Sequence, residues 1–187
     1  MIFAVKAIPN WMTIGRILAT PVVAVLIWMD SPDFGYALAL ALFTLASVTD
    51  FFDDWIARRL NVFSPLGEML DPIADKMLIG CALLALANVT KAGWVFLVPA
   101  LVILLREFMI SGLREYLAKR SFSAPVTALA KWKTTAQILA VGFLIGAPAF
   151  PVVPFAAETG LVLLWIAAGL TVQTGYGYIR EALRHVA

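Results

Sequence analysis

The chain has 187 residues, of which 62% are hydrophobic and 14% charged, with a net charge of +2 at neutral pH. Soluble domains are about half apolar and about a quarter charged, so this composition excludes an ordinary soluble domain, and so small a net charge gives no sign of a nucleic-acid partner, and none is expected. The single cysteine, Cys81, excludes an internal disulfide and any cysteine-rich metal site; within its apolar run it reads as a packed small hydrophobe.

A membrane helix needs about 20 mostly apolar residues. Measured against that length, the chain offers six spans, at about 11–29, 36–57, 71–88, 94–117, 132–148 and 157–179. The expected fold is an all-α integral membrane protein with six transmembrane helices, both termini cytoplasmic, in a single domain over residues 1–187.

The first span begins within IPNWMTIGR and is long enough to cross, with further spans behind it, so it does not read as a cleavable signal. Asn10 suits a helix N-cap as well as it suits a ligand role. The second runs apolar from Tyr36 to Val48 and then meets TDFFDDWIARRL. The third follows the turn FSPLG and opens with Asp71 and Asp75. The fourth is apolar only to Leu105, after which REFMISGLREYLAKR continues as an amphipathic helix expected to protrude from the bilayer. The fifth starts in KWKTTAQ, and the sixth ends in a basic tail in which His185 reads as solvated. Trp11, Trp28 and Trp94 lie near span ends, where an aromatic belt accounts for them. Gly142, Gly146 and Gly169 read as small residues that let helices approach.

The bases orient the bundle. Lys6 and Arg16, then Arg58 and Arg59, then Arg106, Arg114, Lys119, Arg120, Lys131 and Lys133, then Arg180 and Arg184, all fall on one side. The opposite loops hold Asp30, Asp33, Glu158 and one base, Lys91. The positive-inside rule makes the basic side cytoplasmic.

An Asp at the centre of a spanning helix costs about 2.5–3.5 kcal/mol on insertion scales. Asp50, Asp53, Asp54, Asp71 and Asp75 nonetheless fall within consecutive spans. From Tyr36 to Asp50 a helix advances about 21 Å of a roughly 30 Å core, which puts the cluster toward the cytoplasmic side. Asp50 and Asp53 are spaced i,i+3 and Asp71 and Asp75 i,i+4, so each pair shares a helix face. Four opposed carboxylates repel unless neutralised, and two hard divalent cations, Mg²⁺ or Mn²⁺, suit oxygen ligands in that arrangement. Pairing with Arg58, Arg59 and Lys76 in interfacial salt bridges is the plainer alternative.

The pattern Asp50-x2-Asp53-x3-Ala57-Arg58-x8-Gly67-x3-Asp71-x3-Asp75 resembles the signature of the CDP-alcohol phosphotransferases, integral membrane enzymes of phospholipid synthesis. IPNWMTIGR is similar to the opening of these proteins, and REFMISGLREYLA and KWKTTAQ look like segments of the branch that makes phosphatidylglycerophosphate. The resemblance implies a CDP-alcohol phosphotransferase fold and transfer of the phosphatidyl group from CDP-diacylglycerol to glycerol 3-phosphate, with release of CMP. It implies that Asp50, Asp53, Asp71 and Asp75 hold two divalent ions, Mg or Mn, with Asp75 also the general base. Asp50, Asp53, Asp54, Ala57, Arg58 and Gly67 then fall at the CDP site, and Thr13 and Arg16 reach the CDP phosphates or support the site. It further implies a homodimer in the inner (cytoplasmic) membrane, with the site facing the cytoplasm.

Glycerol 3-phosphate is a dianion, and Arg offers a bidentate fork to phosphate oxygens. Arg114, Lys131 and Lys133, with Arg106 nearby, are the candidates for its pocket. The alternative for all four is charge bias or contact with anionic membrane lipids, to which Lys119 and Arg120 are assigned. Arg106 could equally pair with Glu107. One position departs from the pattern: the family's Gly after the second Asp is here Asp54. An Asp side chain there intrudes on a place where backbone and ligand come close, so a catalytically impaired member stays open, as does another alcohol acceptor. A cation transporter is the competing class. The second and third spans carry no charged side chain on the outer side of the cluster, which argues against it.

Overall fold

In the computed structural model, described for residues 2–31, 34–60, 65–118 and 128–186, the chain forms six helices in succession. They are α1 (Ile2–Trp28), α2 (Gly35–Leu60), α3 (Pro65–Val89), α4 (Trp94–Ala118), α5 (Ala128–Ala149) and α6 (Ala156–Val186). Side chains are described at 11–31, 34–50, 67, 69–118, 129–180 and 182–183. α1 begins well before Asn10, so Asn10 does not cap it.

Local chemistry sets the ends. The chain leaves α1 through Asp30, whose φ of 50° is the left-handed conformation common after a helix, and Tyr36 donates its hydroxyl to Asp30 Oδ1 at 2.7 Å. α3 opens on Pro65, whose missing N–H costs nothing in a first turn. Gly93, at φ 53°, makes the tight entry into α4, a conformation in which a side chain would be strained. Along α4 the buried positions Phe96, Ala100, Ile103, Ile110 and Leu117 keep helical spacing past Leu105, so REFMISGLREYLA continues the same helix as one amphipathic face.

The helices form two interlocked groups. α1 packs on α2 and α3, α6 packs on α4 and α5, and α2 and α3 both meet α5. The core takes a fully buried side chain from every helix: Ile27, Phe43, Leu83, Phe96, Ile145 and Leu164. The outer surface is apolar as well. Leu18, Leu84, Leu105, Phe108 and Trp165 all face outward, an arrangement suited to a hydrocarbon solvent rather than water. Among the described residues, segments of α1, α3, α4 and α6 are long and apolar enough to cross a membrane, and α2 contributes a shorter apolar stretch, Gly35–Asp50. α2 ends, and α5 begins, in the polar residues of the site described next. Trp11, Trp28 and Trp94 are exposed, as belt residues are.

Of the three glycines expected to permit close helix approach, one does so. A methyl group on Gly146 would lie 3.3 Å from Leu40 Cδ2, but one on Gly142 or Gly169 would meet nothing within 4 Å. The tightest approach is at Gly160, where a methyl would come within 2.8 Å of Leu144 Cγ and 3.1 Å of the Leu144 backbone nitrogen. There α6 leans directly on α5.

Candidate active site

The acidic half of the site is organised by α1. Thr13 and Arg16, one helical turn apart, face α2 and α3 together and are both buried. Thr13 donates its hydroxyl to Asp71 Oδ1 at 2.6 Å. Arg16 ion-pairs through Nη1 with Asp50, and the same nitrogen lies 3.4 Å from Asp75 Oδ1. A buried guanidinium is costly without counter-charges, and two carboxylates on different helices supply them. Asp75 in turn has Asp50 and Asp71 as electrostatic neighbours. The acids are not sealed in: the Asp50 and Asp75 side chains remain 37% and 48% exposed, which leaves them reachable by a ligand from the open side.

The structure thus brings together Asp50, Asp71, Asp75, Thr13 and Arg16. Asp53, Asp54, Ala57 and Arg58 lie on α2, with side chains outside the described residues, and Gly67 is buried in the first turns of α3. Among the described residues no group of three or more acidic, histidine or cysteine side chains is arranged to hold a metal ion. The donor set itself, carboxylate oxygens only, is the kind that hard divalent cations take. Of the two roles open to Thr13, contact with the CDP phosphates or support of the site, its hydrogen bond to Asp71 is of the supporting kind.

The cationic half lies on α4, α5 and α6. Lys133 is buried on α5 and ion-pairs through Nζ with Glu107 Oε1, and Arg106 Nη1 donates to the same oxygen at 3.2 Å. Arg106 Nη2 donates to Thr174 Oγ1 on α6 at 3.1 Å. Arg106 thus pairs with Glu107, as one of its alternatives had it, on the same carboxylate oxygen that holds Lys133. Arg114, a further two turns along α4, is exposed, with its guanidinium 5.9 Å from the ring centre of Tyr178. Lys131 is exposed, and its two-residue offset from Lys133 turns it to another face, so it does not join Lys133. The halves adjoin through Lys76, the residue after Asp75, which lies in the electrostatic field of Glu107, Arg114 and Arg106. Below this layer, Gln137 Nε2 donates to Thr171 Oγ1 at 3.3 Å between α5 and α6, both residues buried.

Sequence periodicity did not single out Glu107 as a bridge, Thr174 as an acceptor or Tyr178 as a platform. The one available signal was an acid placed among bases in REFMISGLRE.

The fold and the site define the chain as a helical membrane protein with carboxylates gathered on α2 and α3 and a separate group of bases around Glu107 on α4 and α5. Residues 6–173 match the CDP-alcohol phosphatidyltransferase family, and the chain belongs to that family. It is 44% identical over 178 residues to the CDP-diacylglycerol–glycerol-3-phosphate 3-phosphatidyltransferase of Rickettsia bellii, covering 95% of this chain and 96% of that one. It is 36% identical to the protein of the same name from Pseudomonas fluorescens, covering 96% and 91%. The similarity reaches the CMP-forming cardiolipin synthase of Oryza sativa at 30% identity, over 95% of this chain and 57% of that protein.

Proposed function

We propose that this protein transfers the phosphatidyl group of CDP-diacylglycerol to glycerol 3-phosphate, giving phosphatidylglycerophosphate and CMP, at the cytoplasmic face of the inner membrane. The observation that carries the reading is the division of the site: carboxylates gathered by α1 on one side, Lys133 and its neighbours on the other, joined at Lys76. The names of the relatives that match over nearly their whole length support the same acceptor.

Asp50, Asp53, Asp71 and Asp75 would hold two divalent cations, Mg or Mn, which when bound supply neutralisation of the diphosphate and of departing CMP. Thr13 and Arg16 hold the orientation of Asp71, Asp50 and Asp75, while Ala57, Arg58 and Gly67 line the nucleotide. Arg114 and Lys133 bind the phosphate of the acceptor, with Arg106 beside Lys133 at Glu107. That places the acceptor hydroxyl against Asp75, which orients it and takes its proton late as the oxygen forms its bond to the phosphatidyl phosphorus and the bond to CMP breaks. One substrate carries acyl chains and the other is soluble, so the site is open both to lipid and to the cytosol.

The experiment is CMP release by the purified protein from CDP-diacylglycerol with Mg²⁺, comparing glycerol 3-phosphate with serine, inositol phosphate and phosphatidylglycerol. Release specific to glycerol 3-phosphate is expected. Release with any other acceptor alone would reassign the cationic half, and ion flux in sealed vesicles without CMP release would move the protein to the transporter class.

A further inference from the structure

Glu107 is an acid placed where an anionic substrate is to bind, and its contacts explain why. One carboxylate oxygen, Oε1, accepts from both Arg106 Nη1 on its own helix and Lys133 Nζ on α5. Glu107 and Lys133 are both largely withdrawn from solvent, with side chains 18% and 8% exposed. Lys133 carries three donors on a flexible four-carbon stem, so a buried ammonium without a fixed partner would sample many positions. Glu107 takes one donor and leaves the others to point elsewhere.

The other end of this chain of contacts is also fixed. Arg106 Nη2 is held by Thr174 Oγ1, whose own hydroxyl donates to Leu170 O at 2.8 Å on α6. The Arg106 stem lies flat on α6 at Gly175, where a methyl group would come within 3.2 Å of Cγ and 3.3 Å of Nε. Arg106 Nε is buried there without a hydrogen-bond partner among the described residues. A guanidinium spread over α6 in this way, with both Nη atoms engaged, serves as a tie rather than a free fork.

We infer that Glu107 is a positioning residue for the acceptor: anchored to α6 through Arg106, it fixes Lys133 Nζ so that its remaining donors face the acceptor phosphate. The inference rests on the acceptor pocket proposed above. It adds that Arg106 acts through Glu107, and that Thr174 and Gly175 on α6 belong to the same device. It also gives the buried cations a counter-charge before substrate arrives, without which they would be strongly unfavourable.

The test is the pair of Michaelis constants, for glycerol 3-phosphate and for CDP-diacylglycerol, in Glu107→Ala, Glu107→Gln, Gly175→Ala and Lys133→Ala. Glu107→Ala is expected to raise the acceptor constant about tenfold while the liponucleotide constant stays within about twofold. Glu107→Gln, which keeps an acceptor oxygen, is expected to recover part of that loss. Gly175→Ala touches no substrate and is expected to move the acceptor constant in the same direction by a smaller factor, because its methyl displaces Arg106. If Lys133→Ala raises the acceptor constant and Glu107→Ala does not, or raises both constants equally, the inference falls and the pocket stands. If Lys133→Ala leaves the acceptor constant unchanged, the pocket fails and the inference with it.

Discussion

Arg16 on α1 pairs with Asp50 on α2, and the nitrogen that makes the pair lies 3.4 Å from Asp75 on α3. A single guanidinium thereby offsets part of the repulsion between acids from two helices. Thr13, one turn earlier, adds the hydrogen bond to Asp71. The first helix therefore sets the positions of the carboxylates proposed to hold the metal ions.

Removing that charge should make the fold depend on divalent cations. Arg16→Ala is expected to lower stability by about 1–3 kcal/mol, less than for a fully buried pair because both acids are partly solvated. Mg²⁺ should then raise the thermal midpoint of the variant in detergent more than that of the parent. An equal Mg²⁺ effect in both proteins would show that Arg16 does not neutralise the cluster.

Thr13→Val keeps the shape of the side chain and deletes its donor. A hydrogen bond to a charged group is worth about 1.5–3 kcal/mol, so turnover is expected to fall by roughly tenfold or more, with higher Mg²⁺ needed for half-maximal rate. Unchanged turnover and Mg²⁺ dependence would mean that Asp71 is oriented without Thr13.

Much of this was legible in the chain. The six helices follow from the apolar runs and the turn residues between them, although among the described residues only α1, α3, α4 and α6 carry a segment of spanning length, and the i,i+4 spacing of Asp71 and Asp75 anticipated that they present one face. What could not be read was which faces meet. The partner of Thr13 is 58 positions away and that of Lys133 is 26 away, and such contacts depend on the rotation of each helix about its axis. Lys131 is a different case: its offset of two residues from Lys133 already implies another helix face, and grouping them by charge alone concealed it. The glycines failed for a similar reason. Gly142 and Gly169 suit close packing in composition, but a methyl on either would meet nothing within 4 Å, whereas Gly80, Gly146, Gly160 and Gly175 are turned toward a neighbouring helix.

Gly160→Ala tests that packing directly. The added methyl cannot be accommodated by a side-chain movement alone, since the Leu144 backbone lies 3.1 Å away. A loss of about 1–3 kcal/mol is expected from overpacking, read as a lower thermal midpoint in detergent with both Michaelis constants unchanged. A midpoint equal to that of the parent would place slack between α5 and α6.

Asp54 stands where the resemblance expects glycine, beside the proposed nucleotide site. Asp54→Gly removes a negative side chain near the diphosphate and is expected to lower the constant for CDP-diacylglycerol and raise turnover. Equal rates and equal constants in the two proteins would show that Asp54 is accommodated without loss.

The central claim is tested most directly by following labelled glycerol 3-phosphate into lipid. With the purified protein, CDP-diacylglycerol and Mg²⁺, the label should enter the lipid phase in step with CMP release, and chelation should stop both. CMP release without label in lipid, or no release at all, would contradict it.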